Sequence, residues 1–479
     1  MTFDELRSVG SVCVLGLGVT GEAVCRLFAA WPPEHLTVYT GKALSSSMNP
    51  LTDVNLPADT HIIERPEDLR GPFDLCVVSP GIPQTGELYQ RARRISGELI
   101  SEPELAWRLS SDHWIVVTGT NGKTTTTTLS AYLLNRAGIP ARVAGNIGIP
   151  CVDAVQQRAE GEYIVAELSS FQLASAPLLA PEAAILLNIT PDHLSWHGGE
   201  EAYARAKTSF IERMALSAPI ALDATRPEIR VLSAVWRDAG RRVLPIGSSA
   251  GITERMVVHS GVPEAAWLDA ASDRLTLSLD GVTISLSAAS DLQIRGEHNT
   301  VNALAAALIV CALGASPALV GEGLTSFEPL EHRTEPVSVV AGVLYVNDSK
   351  ATNPEATIKA LAAFPDRPVV AMLGGRDKLT PLDELIAATR DTCRALVCYG
   401  EAGPRFSAAF DEAGLSSITH LVSSFDEAFA TAANQAQTGD VVLLSPACSS
   451  YDEFDDYQQR GTCFKALVAA RAGVADHDD

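Results

Sequence analysis

The apolar, β-branched run Trp114–Val117 leads through Thr118-Gly119-Thr120-Asn121-Gly122-Lys123-Thr124-Thr125 into a helical pattern marked by Leu129, Leu133 and Leu134. A strand that enters a helix through a glycine turn belongs in an α/β layer structure. Such a junction gathers backbone N–H groups and the positive end of a helix dipole around one anion. Lys123 adds a mobile positive charge for outer phosphates, and the Thr124 hydroxyl stands where a phosphate-bound Mg²⁺ needs an oxygen. Gly119, Thr120, Asn121, Gly122, Lys123, Thr124 and Thr125 therefore read as an ATP phosphate cradle. The spacing departs from the usual P-loop, because Val117 stands where the first glycine is expected. The plain alternative is a threonine-rich turn that binds nothing.

Size decides how much must surround this loop. A chain of 479 residues exceeds one ordinary core, and about 150 residues per domain gives roughly three. With 46% apolar and 20% charged residues, the chain is expected to be soluble and folded rather than disordered. Its net charge of -22 excludes the broad basic face that nucleic-acid or anionic-membrane binding needs. The nine cysteines lie scattered with no CxxC pair, a pattern of reduced thiols in a cytoplasmic protein. No basic-then-apolar leader opens the sequence. Ala303 to Val320 is almost wholly apolar, but it is alanine-rich, contains Pro317 and follows Asn299 and Asn302. It reads as a buried helix, not a membrane span.

Three further strand ends carry candidate chemistry. Val12–Leu15 runs into Gly16-Leu17-Gly18-Val19-Thr20-Gly21 and a helical stretch, a dinucleotide-type strand-turn-helix or else a tight turn without ligand. The next strand, Leu36–Tyr39, ends in Thr40 where an NAD-binding fold would place a carboxylate, so the usual grip on an NAD ribose is missing. Leu75–Val78 ends in Ser79-Pro80-Gly81-Ile82. In the middle region, Gly145-Asn146-Ile147-Gly148 is another turn able to present amides, and Tyr163–Leu168 is a buried strand bearing Glu167. That carboxylate is placed either for a nucleotide-bound Mg²⁺ or as an ordinary satisfied sheet end. Ala184–Ile189 ends in a cluster of Asp192, His193 and His197, and the following helix carries Tyr203, Lys207 and Phe210. Lys207 is either a surface lysine or part of an acidic metal site that neutralises or consumes its charge.

Leu275–Leu279 and Val282–Leu286 alternate about Asp280-Gly281, the pattern of a hairpin added to an otherwise parallel domain. Phe327 to Glu335 is charged and proline-containing and reads as a hinge. Beyond it, strands near Leu344–Val346, Val369–Leu373, Ala395–Cys398 and Val441–Leu444 alternate with helical spacing, implying a second Rossmann-like sheet. Its strand ends hold Asn347 to Pro354, Gly374 to Lys378 and Ser445 to Ser450, and the last residues, from Ala475 to Asp479, read as a frayed tail.

Taken together, these residues resemble the Mur ligases, the ATP-dependent amide-forming enzymes of peptidoglycan precursor synthesis. The ordered set is Thr118–Thr125, Glu167–Leu173, Asn188–Leu194, Tyr203 with Lys207, His298-Asn299, His332-Arg333 and Asn347–Asn353. The resemblance spans nearly the whole chain and implies three domains: 1–109, Rossmann-like and binding the UDP-linked substrate; 110–328, a central ATP-binding α/β domain with an antiparallel addition; and 329–479, Rossmann-like and binding the amino acid. Within the family, the short first domain with its Gly-Leu-Gly-Val-Thr-Gly and Ser-Pro-Gly-Ile turns is most similar to members that join D-glutamate to UDP-N-acetylmuramoyl-L-alanine. The implied chemistry is γ-phosphoryl transfer from ATP to the alanyl carboxylate, then displacement of phosphate from the acyl phosphate by the glutamate amine.

By motif position, the resemblance implies that Lys123 contacts outer phosphates and that Thr124 and Glu167 hold one Mg²⁺. His193 would hold a second Mg²⁺ with Lys207, which is carbamylated in this family. Asn302, Arg333 and Asp348 would contact ATP, and Lys350 would lie near the reacting centre. Gly18, Val19, Thr20, Thr40, Ser79, Pro80, Gly81, Asn146 and His193 would face the UDP substrate; Thr352, Lys378, Ser450 and Tyr457 would face the amino acid. A cytoplasmic monomer is expected. Two positions depart from the family: Thr40 replaces an acidic residue, and Tyr457 replaces an apolar aromatic. Two other readings stay open at this point. One is a related amide ligase, such as a folylpolyglutamate synthase; the other is a nucleotide-binding oxidoreductase or sensor built on the first domain.

Overall fold

In a computed structural model of the chain, the described residues are 1–41, 51, 54–190, 192–247 and 264–475. The tail from 476 onward, Lys42, Pro191 and much of the stretch preceding the central hairpin lie outside them. The described chain divides into two compact units, Met1–Asp291 with Val301–Thr325 and Leu292–Thr300 with Ser326–Asp479. All nine cysteines are free thiols. No helix among the described residues is long and apolar enough to cross a membrane.

The first unit holds two sheets. One is wholly parallel, in the spatial order His61–Ile63, His35–Tyr39, Ser11–Leu15, Phe73–Val78, Ser96–Ser101. The glycine-rich turn after Ser11–Leu15 feeds the helix Val19–Ala30. Gly21 is required there by contact, since a Cβ on it would lie 1.9 Å from the carbonyl oxygen of Gly16.

The second sheet has nine strands. Trp114–Thr118, buried at every residue, lies inside it between Tyr163–Glu167 and Ala183–Leu186, both parallel to it. Continuous β-branched and apolar sequence is what a strand covered on both faces demands. At the far edge, Arg274–Leu279 and Val282–Ala288 form the expected antiparallel hairpin, with positive φ at both Asp280 and Gly281. The apolar stretch near 303–320 becomes two helices, Glu297–Ala312 and Pro317–Ser326.

A short helix, Glu102–Leu109, ties the two sheets of this unit together. Glu102 is buried and accepts the Val152 amide at 2.6 Å, at the start of the helix Cys151–Gln157. Glu104, equally buried, accepts the amides of Leu178 and Leu179. Burial raises the Glu102 pKa from 4.5 to about 8. The folded chain therefore holds a proton that the unfolded chain releases near pH 4.5, and stability falls as pH rises across that interval. Glu102→Gln keeps an acceptor but cannot ionise. Its melting temperature relative to wild type should climb between pH 5 and pH 8.5 in a thermal-shift series; a constant offset would refute this account.

The second unit is built on a six-stranded sheet, ordered Glu335–Val340, Val343–Asn347, Val441–Ala447, Val369–Gly374, Cys393–Tyr399, Thr419–Leu421. Only the first strand is antiparallel to its neighbour. Apolar layers cover both faces, with Phe406 and Phe410 on one and Phe425, Phe429 and Phe464 on the other. The long helix Tyr457–Ala475 closes this unit.

Candidate active site

In open parallel sheets, ligands bind beyond the carboxyl ends of strands, where the order of strands reverses. Trp114–Thr118 ends at such a point. Gly122 there has φ of +86°, and a Cβ on it would lie 2.6 Å from Oδ1 of Asn302. Asn302, from the helix Glu297–Ala312, thus packs directly on the loop. The N-cap of the helix Lys123–Arg136 is Gly122, which has no side chain to cap it. Lys123 is half-buried and donates from Nζ to the Thr120 carbonyl at 2.9 Å.

One residue that sequence reading did not single out shapes this loop. Asn188 accepts the amides of Thr120 and Asn121 at 2.9 and 2.8 Å, and its own amide donates to the Asn121 carbonyl. Tyr203 adds a second brace, its hydroxyl 2.8 Å from that of Thr120. Asn188 lies in a quoted motif, but nothing local signals a bond to backbone 67 residues earlier.

Around the cradle, the Thr124 hydroxyl donates to Oε2 of Glu167 at 2.7 Å, and the Asn146 amide donates to Oε1 of the same carboxylate at 2.9 Å. Hydroxyl and carboxylate are hard oxygen donors of the kind Mg²⁺ takes, so these residues fit the ion. Among the described residues, no group of three or more His, Cys, Asp and Glu could hold a metal. Any ion here would draw further ligands from hydroxyls, from a modified side chain or from phosphate.

Lys207 is not the surface lysine that its amphipathic helix permits. It is 2% exposed, donates to the Gly119 carbonyl at 2.8 Å and lies 4.8 Å from the Tyr203 ring centroid. Burial, then the nearby charge of Lys123, pushes its pKa well below the ordinary lysine value. His193 adopts φ of +51° and lies 3.4 Å from Asp192. Phe171 packs against the rings of His193, Trp196 and His197. His197 is 2.9 Å from the Ser170 hydroxyl, and burial, with the charges of Lys207 and His193, lowers its pKa to about 4.

At the first sheet, Gly18 and Gly81 have open space where a Cβ would stand, and Val19 is 74% exposed. The Ser79 hydroxyl donates to the Gly16 carbonyl at 3.0 Å, joining the two turns. Thr20 lies in the first turn of the helix and Pro80 beside Gly81 in the second turn. The Thr40 amide donates to the Ile63 carbonyl at 2.9 Å, on the neighbouring strand.

The second unit gathers its own set. Asp348 accepts the Ser445 hydroxyl at 2.7 Å and the Thr334 amide at 3.0 Å, next to Arg333; burial raises its pKa to about 7. The Lys378 ammonium donates to the Thr352 carbonyl at 3.0 Å. Asp377 and Arg405 form a two-pronged ion pair at 2.6 and 2.7 Å, and Arg405 also reaches the Thr380 carbonyl. The Arg376 amide donates to the Ser449 carbonyl at 2.8 Å, so the turn bearing Lys378 lies beside the one bearing buried Ser450. Lys350 stands over the ring of Tyr457, 3.8 Å from its centroid.

The comparisons with known proteins agree across the chain. Residues 117–310 match the Mur ligase middle domain, and residues 332–448 match the Mur ligase, glutamate ligase domain. A UDP-N-acetylmuramoylalanine–D-glutamate ligase of Frankia casuarinae is 38% identical, covering 96% of this chain and 94% of that one. The enzyme of the same name from Salinibacter ruber is 37% identical, covering 98% and 99%. Among solved structures, a MurF ligase from Thermotoga maritima in complex with ADP has a TM-score of 0.57 at 18% identity, covering 98% of this chain and 97% of that one.

Proposed function

The chain belongs to the Mur ligase family, and from that premise we propose how its residues share the family's reaction. The enzyme is a UDP-N-acetylmuramoylalanine–D-glutamate ligase: with ATP, it adds D-glutamate to UDP-N-acetylmuramoyl-L-alanine in peptidoglycan precursor synthesis. The observation that carries this is the identity of 38% to a D-glutamate ligase over 96% of the chain.

Joining a carboxylate to an amine in water at neutral pH is uphill, so the carboxylate is activated first. Its oxygen attacks the γ-phosphorus of ATP, ADP leaves, and an acyl phosphate forms. The glutamate nitrogen then adds to the acyl carbon, loses a proton, and the tetrahedral intermediate expels phosphate. Phosphoryl transfer of this kind needs mostly positioning and charge neutralisation. The cradle amides and Lys123 would hold the outer phosphates, with Asn302, Arg333 and Asp348 on the rest of the nucleotide. Thr124 and Glu167 would hold a Mg²⁺, and His193 with carbamylated Lys207 a second; bound there, the ions neutralise charge on the transferring group. Gly18, Val19, Thr20, Thr40, Ser79, Pro80, Gly81, Asn146 and His193 would meet the UDP substrate. Thr352, Lys378 and Ser450 would receive the amino acid, and Lys350 would lie at the reacting centre. The proposal includes the three-domain division at 109 and 328, a monomeric state and a cytoplasmic location.

Support for this assignment of roles comes from the Thr124–Glu167 bond and from burial of Lys207 against the phosphate loop. Purified protein given UDP-N-acetylmuramoyl-L-alanine and ATP should release ADP and phosphate only when D-glutamate is added. Equal release with L-lysine, or formation of AMP, would overturn the reading.

A further inference from the structure

The face of the Tyr457 ring lies 3.8 Å, centroid to nitrogen, from the Lys350 ammonium. That is well inside the reach over which a ring's negative face attracts a cation. Both partners are fixed by other bonds. The Ser349 hydroxyl, one residue before the lysine, donates to the Tyr457 carbonyl at 2.8 Å. Arg460, one turn further along the same helix and fully buried, donates to the Ser349 hydroxyl and carbonyl at 2.9 and 2.8 Å and to the Cys448 carbonyl at 3.1 Å. The Lys350 amide donates to the His332 carbonyl at 3.1 Å, and the His332 ring meets Tyr457 edge-on at 6.0 Å. The tyrosine is therefore built into the floor beneath the lysine.

We infer that Tyr457 is a positioning residue for Lys350, holding its ammonium by the face of the ring, and that the phenolic hydroxyl is dispensable for this. The inference rests on the proposed reaction, in which Lys350 lies at the reacting centre. It differs from the motif-based role of Tyr457 as an amino-acid contact. A contact to glutamate would show in KM for D-glutamate; a platform for Lys350 shows in kcat.

The test uses the full-length enzyme with Tyr457→Phe, Tyr457→Leu and a series in which position 457 carries phenylalanines with increasing ring fluorination. Fluorine drains the face of the ring with little change of shape, so folding is preserved across the series. Tyr457→Phe should stay within about twofold of wild type, and Tyr457→Leu should lose roughly tenfold in kcat, with KM for D-glutamate little changed. The logarithm of kcat should fall steadily with fluorine count. A flat response to fluorination, a loss confined to KM for D-glutamate, or a Phe variant as impaired as Leu would overturn the inference. These outcomes leave the reaction itself intact. Failure of the wild-type enzyme to release phosphate in response to D-glutamate would instead remove the reading beneath it.

Discussion

Lys123→Ala is expected to lower kcat for phosphate release by about a thousandfold, the scale seen when a charge-stabilising group is removed from a preorganised transition state. The loop would survive the change. Its shape is set by Gly122 in the left-handed region, by Asn302 packed on that glycine, and by the three hydrogen bonds of Asn188. Lys123 itself donates to the Thr120 carbonyl from a half-buried position. Deleting it removes a charge, not a scaffold, so the melting temperature should move by only a few degrees. Lys123→Arg should recover little, because a planar fork does not reproduce a compact ammonium at the end of a flexible stem. Steady-state ADP release measured beside thermal unfolding checks both halves. A loss below tenfold, or a loss that tracks unfolding, would show that Lys123 does not act on the phosphates.

The contrast between Lys123 and Asn188 shows what the sequence makes legible. Lys123 was readable because strand, glycine turn and helix are consecutive, and local order defines an anion site. Asn188 acts through backbone far away in the chain, and only the parallel pairing of Trp114–Thr118 with Ala183–Leu186 brings it there. The same holds for the Asp377–Arg405 pair beside Lys378. Long apolar strands were visible from their periodicity, whereas several short or edge strands were not. His61–Ile63 has three residues, and Ser96–Ser101 begins with Ser-Gly-Glu. Glu335–Val340 starts inside the stretch read as a hinge and contains Pro336, which an edge strand tolerates. The first two expected domains also fall within one compact unit, since core packing runs from Val14 and Phe28 of the first sheet to Trp114 and Leu186 of the second.

Lys207 carries the other large effect. Its helix, Glu200–Thr208, has exposed glutamates and an arginine on its outer side, and the pattern alone leaves the lysine on either face. The fold buries it against the Gly119 carbonyl, in the field of Lys123, Asp192 and Glu167. Burial, and after it repulsion by Lys123 on the same loop, makes this amine favour its neutral form. A neutral amine has a lone pair available. On the proposed reading its nitrogen would add to the carbon of CO₂ and lose a proton to solvent, leaving a carbamate with carboxylate-like oxygens in the neighbourhood of Glu167. A cation unsuited to a metal site would thereby become an anion suited to one. Lys207→Ala should therefore abolish measurable turnover, a loss of at least about a thousandfold, while formate, acetate or propionate partly restores it by supplying the missing oxygens in the space left. Wild-type activity should fall in CO₂-depleted buffer and return with bicarbonate. Full activity in the Ala variant would sink the role of Lys207; loss without carboxylate rescue and without CO₂ dependence would leave the lysine essential as an amine and exclude the carbamate.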